Sequence, residues 1–122
     1  MRLKNFLIVV NDIEKSKAFY KELFGLTVIT DLGENVILTE GLVLQERSVW
    51  ENCIGKTTDF GGHNAELYFV ESDMDAFLQK LESFPYPVEY VNSCTENDRG
   101  QRVVRIYDLD KHVIEIAEYK IN

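Results

Sequence analysis

An α+β fold made of two tandem βαβββ modules is what this sequence predicts, with a curved mixed sheet forming a trough and the helices on its convex side. Two observations lead there. Strand-like apolar runs and a helical period follow each other as β-α-β-β-β, and the same order then restarts. The chain has 122 residues, so half its length is 61, and sliding one half onto the other by that offset sets Asp12-Ile13 on Asp73-Met74. Each of those pairs opens a helix. Identity between the halves is slight, so the duplication is one of pattern.

The elements follow in order. "LKNFLIVV" is a strand rich in Leu, Ile and Val. "NDIEKSKAFYKELFG" switches to helical period, with Ile13, Phe19, Tyr20, Leu23 and Phe24 along one side and Ser16 the small residue among them. Asn11 or Asp12 suits the cap, and Gly25 suits the left-handed residue that ends the helix. "LTVIT", "NVILT" and "LVLQE" are three short strands punctuated by Gly33 and Gly41. "RSVWENCIGKTTDFGG", residues 47–62, reads as an irregular loop carrying Trp50 and Phe60. The second module then opens with the strand "NAELYFV" and the helix "SDMDAFLQKLESF", whose stripe is Met74, Phe77, Leu78 and Leu81. Ser72 and Asp75 make a capping-box-like pair, and Pro85 and Pro87 prevent continuation. "VEYVN", "QRVVRIYD" and "HVIEIAEY" are the later strands. The expected organisation is one domain over 1–122, with module 1 at about 1–46, the loop at 47–62 and module 2 at about 63–122.

Composition limits the function classes. A formal charge of −8 argues against nucleic acid and anionic membrane, both of which need concentrated positive potential. No apolar run approaches the roughly 18 residues of a membrane span, and "FLIVV" is broken by Asn11 and Asp12 before it resembles a signal peptide. Cys53 and Cys94 have no CxxC spacing and read as reduced thiols of a cytoplasmic protein. There is no nucleophile constellation and no phosphate loop.

Strand alternation singles out a set of residues on the face away from the helices. Leu67 and Phe69 belong under the helix, which sends Glu66, Tyr68 and Val70 the other way. Ile114 and Ile116 do the same for Val113, Glu115 and Ala117, and Val104 and Ile106 for Val103, Arg105 and Tyr107. A guanidinium among mostly apolar neighbours is costly unless paired. Arg105 therefore either pairs with Glu115 or Glu66 or meets an anionic group on a substrate. His63, three residues before Glu66, either reaches a site or, as its place after two glycines favours, is a loop residue. Trp50 and Phe60 either cover the trough or pack on a partner subunit.

The stretches "VVNDIEKSKAFYKELFGL", "ELYFVESDMDAFLQKL" and "VRIYDLDKHVIEIAE" resemble the vicinal oxygen chelate superfamily, which includes glyoxalase I, bleomycin- and fosfomycin-resistance proteins and extradiol dioxygenases. That resemblance implies a glyoxalase-like member holding a small organic molecule, and a homodimer. Carried over position by position, it implies metal ligands at Asn5, Gln45, Glu66 and Glu115, with Glu66 and Glu115 also catalytic, and His112 as a turn histidine of structural role. Tyr68, Tyr107, Arg105 and Trp50 are the expected substrate contacts. With no imidazole in that set, a divalent ion would be held weakly and be of the magnesium or manganese type. The chemistry implied is that of a metal-assisted lyase or isomerase, the ion chelating adjacent substrate oxygens. The alternative is a non-catalytic, drug- or metabolite-sequestering protein of the bleomycin-resistance type.

Overall fold

Two βαβββ modules follow one another along the chain. The computed structural model describes residues 1–119, which divide into two compact units, Met1–Asp59 and Phe60 onward. The first holds β1 (Phe6–Val10), α1 (Ile13–Phe24), β2 (Val28–Asp31), β3 (Asn35–Leu38), β4 (Leu42–Glu46) and α2 (Arg47–Ile54). The second holds β5 (Glu66–Glu71), α3 (Met74–Ser83), β6 (Tyr90–Glu96), β7 (Arg102–Tyr107) and β8 (Val113–Glu118). The sheet orders are β1-β4-β3-β2 and β5-β8-β7-β6, so each unit brings its last strand to the centre, parallel to its first. The remaining pairings are antiparallel.

Local chemistry accounts for the helix limits. Asp12 caps α1 by accepting from the Lys15 N–H, and Gly25 closes it in the left-handed conformation with φ 68°. Asp73 caps α3 in the same way, accepting from the Ala76 N–H. The cap is thus Asp73 itself, not the expected Ser72–Asp75 box, because Asp73 is the non-helical residue whose carboxylate reaches the third helical N–H. The two helices begin at Ile13 and Met74, as the half-length offset requires.

The stretch expected to be an irregular loop over 47–62 is helical in its first half. Glu46 at the end of β4 accepts from both the Ser48 and Val49 N–H groups, Arg47 and Glu51 pair at 3.1 Å one turn apart, and Gly55 ends α2 with φ 69°. A helix of 8 residues with glutamate as its cap carries no strong sequence signal. The helix rests instead on contacts with β1 and β4.

Each unit has its own buried apolar set. In the first, Tyr20 and Leu23 of α1 are buried with Val10, Val36, Leu38 and Leu44 of the strands. In the second, Met74, Phe77 and Leu81 of α3 are buried with Val104, Ile106, Ile114 and Ile116. Arg102 ties α3 to this sheet, reaching Glu118 at 2.7 Å and Asp75 at 2.6 Å. Among the described residues no helix is long and apolar enough to cross a membrane.

Truncating Ile116, only 1% exposed in the middle of the central strand, removes packing that cannot collapse onto a neighbour. Ile116→Ala is expected to cost about 3 kcal/mol, or roughly 10 °C in Tm, measured by thermal unfolding. A change within experimental error would show that the second unit's core lies elsewhere.

Candidate functional site

The open face of the second sheet gathers the polar residues that the helix-covered face cannot hold. β8 lies between β5 and β7, and the full burial of Ile114 and Ile116 turns Glu115 to the opposite side. Register then lines up a row across four strands: Tyr68 is opposite Glu115, Glu115 opposite Arg105, and Arg105 opposite Asn92. One step along, Glu66 is opposite Val113 and Val113 opposite Tyr107. Of the sequence-inferred set, Glu66, Tyr68, Arg105, Tyr107 and Glu115 therefore share one face.

Arg105 is paired. Its Nη2 lies 2.7 Å from Glu115 Oε1 and its Nη1 donates to Asn92 Oδ1 at 3.3 Å. The Glu115 side chain is 13% exposed and that of Arg105 38%, so the arginine stays partly accessible. Glu66 sits diagonally to Glu115, within hydrogen-bonding reach of it. Partial desolvation and the neighbouring Glu115 carboxylate push the Glu66 carboxyl above its ordinary range, against the opposing pull of Arg105. Two carboxylates thus face one guanidinium.

Tyr107 brings in His63, which stands three residues before Glu66 and whose sequence context favoured a loop over a place at a site. His63 Nε2 lies 2.6 Å from the Tyr107 hydroxyl, with the rings edge to face at 5.6 Å between centroids. His63 has φ 55°, a left-handed backbone uncommon outside glycine. Nothing in the sequence near "GGH" announces that contact, because its partner is 44 residues away. His112 is structural: Asp108 accepts from its ring at 2.8 Å and from its N–H and that of Asp110, holding the β7–β8 turn. Phe60 packs edge to face on the His112 ring. Trp50 is half-buried on α2 of the first unit, on a helix rather than a loop.

The first unit places its two inferred ligands apart. Gln45 is opposite Val9 and Asn35, whereas β1 begins only at Phe6, opposite Leu42. Asn5 therefore lies beside Gly41, where its Oδ1 would be 3.6 Å from an added Cβ. Four residues of strand, about 13 Å, separate Gly41 from Gln45. The diagonal that joins Glu66 to Glu115 joins Leu7 to Gln45, or Asn5 to Val43, so no choice of register yields both amides. Gln45 is also engaged, its Oε1 accepting from Asn35 at 2.7 Å and its Nε2 donating to the Glu34 carbonyl.

A family model for the glyoxalase-like domain matches residues 3–120, nearly the whole chain. The chain belongs to the glyoxalase-like domain family. A protein of unknown function from Agrobacterium tumefaciens is 34% identical, covering 98% of this chain and 95% of its own, with a TM-score of 0.83. Two further solved structures share the fold. A lactoylglutathione lyase from Agrobacterium tumefaciens is 21% identical over 96% of this chain and 92% of its own, TM-score 0.73. A fosfomycin resistance protein from Listeria monocytogenes is 17% identical over 99% and 95%, TM-score 0.74. No curated protein matches by sequence. The fold places the chain in the glyoxalase/bleomycin resistance/dioxygenase, or vicinal oxygen chelate, superfamily.

Members of that superfamily commonly use divalent metals, and the donors of this glyoxalase-like chain do not fit one well. Glu115 is taken by Arg105 and Gln45 by Asn35. Among the described residues no three His, Cys, Asp or Glu side chains are grouped to hold an ion. Oxygen-preferring ions need several such ligands.

Glu66 offers a pH test of the site's electrostatics. Its raised folded-state value means that its contribution to stability is complete below the ordinary carboxylate range and is lost as pH rises through the raised value. Glu66→Gln removes that loss. Its Tm is expected to exceed the parent's by only about 1 °C at neutral pH, since the residue is exposed, and to match it below about pH 4. A lower Tm at neutral pH would mean that the Glu66 charge is compensated.

Proposed function

We propose that this glyoxalase-like protein binds a small organic molecule on the open face of the second sheet, with Arg105 and Glu115 as its polar centre and Tyr68 and Tyr107 as flanking aromatic surface. The observation that supports the reading most is the row Tyr68–Glu115–Arg105–Asn92, which puts a partly accessible arginine and an exposed aromatic residue on either side of Glu115, on a face the helix does not cover. Tyr68 is 53% and Val70 59% exposed, an amount of apolar area on a strand that a bound molecule would cover. Sequestration without turnover is the form favoured, because Glu115 is committed to its ion pair. Binding is tested by thermal-shift screening of small organic molecules, with hits mapped by amide chemical shifts. Hits are expected to perturb residues 66–70, 103–107 and 113–117. Tyr68→Ala is expected to weaken them by about tenfold, the scale of one lost aromatic contact. Hits that map only to other surfaces would sink this reading.

A lyase or isomerase is the second reading, and the raised Glu66 carboxyl favours it: a carboxylate moved toward neutral pH is a better proton acceptor for a bound substrate. Turnover abolished by Glu66→Gln with binding intact would select it over sequestration.

We further propose a cytoplasmic homodimer. Cys53 and Cys94 are free thiols, which suits a reducing compartment. The strands β1 and β5 each end the strand order of their own sheet, and β1 carries the exposed Phe6. Light scattering is expected to give twice the mass of the 14.1 kDa chain at micromolar concentration. A mass of one chain would refute it.

A further inference from the structure

We infer that Arg105 takes the place of a metal ion in this site, so that ligand oxygens are met by guanidinium N–H groups with no divalent cation involved. The inference rests on the proposed binding face and goes beyond it by fixing the means of recognition. Three independent geometric facts lead to it. Glu115 Oε1 is 2.7 Å from Arg105 Nη2, so an ion approaching that carboxylate meets a positive charge already in contact with it. A divalent ion and a guanidinium in contact with the same carboxylate repel each other strongly, since little water lies between them to screen the charges. The diagonal that joins Glu66 and Glu115 has one amide and one apolar residue in the first unit, not two amides. The Gln45 oxygen is occupied by Asn35 at 2.7 Å.

The remaining arrangement suits hydrogen-bond recognition. Arginine presents five N–H donors in a planar fork; Glu115 and Asn92 engage Nη2 and Nη1 of a side chain that is still 38% exposed. The complementary ligand is one that presents carbonyl or carboxylate oxygens. Glu66, the carboxylate in excess, sets a limit on charge. It opposes a multiply charged anion, which leaves neutral or singly charged oxygen-bearing molecules as the class that fits.

The inference is tested by metal loading of the full chain. Dialysed parent protein is expected to carry no stoichiometric zinc, nickel, iron or manganese by elemental analysis, and its Tm is expected not to move with millimolar manganese. Arg105→Gln frees Glu115 beside Glu66. That variant is expected to gain a stabilisation by manganese of a few degrees, which Arg105→Gln/Glu115→Gln loses again. Arg105→Lys keeps a cation there and is expected to stay indifferent to manganese. Metal retained by the parent, or equal manganese shifts in parent and Arg105→Gln, would overturn the inference. So would an Arg105→Gln protein that stays indifferent to manganese, and the parent's own metal content decides the matter if the variants do not fold. Failure of the binding face is separately visible: small-molecule hits mapping away from residues 66–70 and 103–117 would remove the ligand reading and leave the metal result standing.

Discussion

The parallel pairing of β8 with β5 is the constraint from which the rest of the second unit follows. β8 is the last strand in the chain and the second in its sheet, so its partner β5 comes from before α3 and its other neighbour, β7, from the preceding hairpin. Ile114 and Ile116 are at most 1% exposed, and their burial fixes which side of the strand is inward. A slip of one residue would exchange those isoleucines for Glu115 and bury an unpaired carboxylate. The polar row on the open face is therefore a consequence of apolar packing on the other face.

Within that row, the Arg105–Glu115 pair decides the chemistry more than it decides stability. Half-exposed ion pairs contribute little net free energy, since desolvation and side-chain ordering offset most of the attraction. What the pair does is hold the guanidinium in one orientation, with Glu115 on Nη2 and Asn92 on Nη1. It also removes Glu115 from the donors available to a cation. Partial desolvation first, and the Glu115 carboxylate second, then shift the Glu66 carboxyl upward.

Repetition of the fold has not repeated the chemistry. Both sheets have the same strand order and the same parallel central pair, and both helices are capped by an aspartate one residue ahead. The row through Gln45 in the first sheet, Val9–Gln45–Asn35, contains no charge, and its two amides bond to each other and to the Glu34 carbonyl. Such a closed network satisfies its own donors and acceptors and offers few to a ligand. The two sheets differ in the polar chemistry of these rows while sharing what holds them together.

The sequence by itself determined the α+β class, the repeated βαβββ order, the helix starts at Ile13 and Met74 and the side of each strand on which Glu66, Tyr68, Arg105, Tyr107 and Glu115 lie. Those features depend on hydrophobic period and local capping, which are properties of neighbouring residues. Register and partner choice depend on residues far apart, and only the tertiary structure decided them. It set Glu115 against Arg105, left Asn5 and Gln45 in different rows, and brought His63 to Tyr107. It also made α2 from residues 47–54, whose own pattern is too short to specify a helix without β1 and β4 to pack on. The physical reason is the same in each case: side-chain direction is encoded by alternation along one strand, whereas which groups meet is fixed by how separate strands pair.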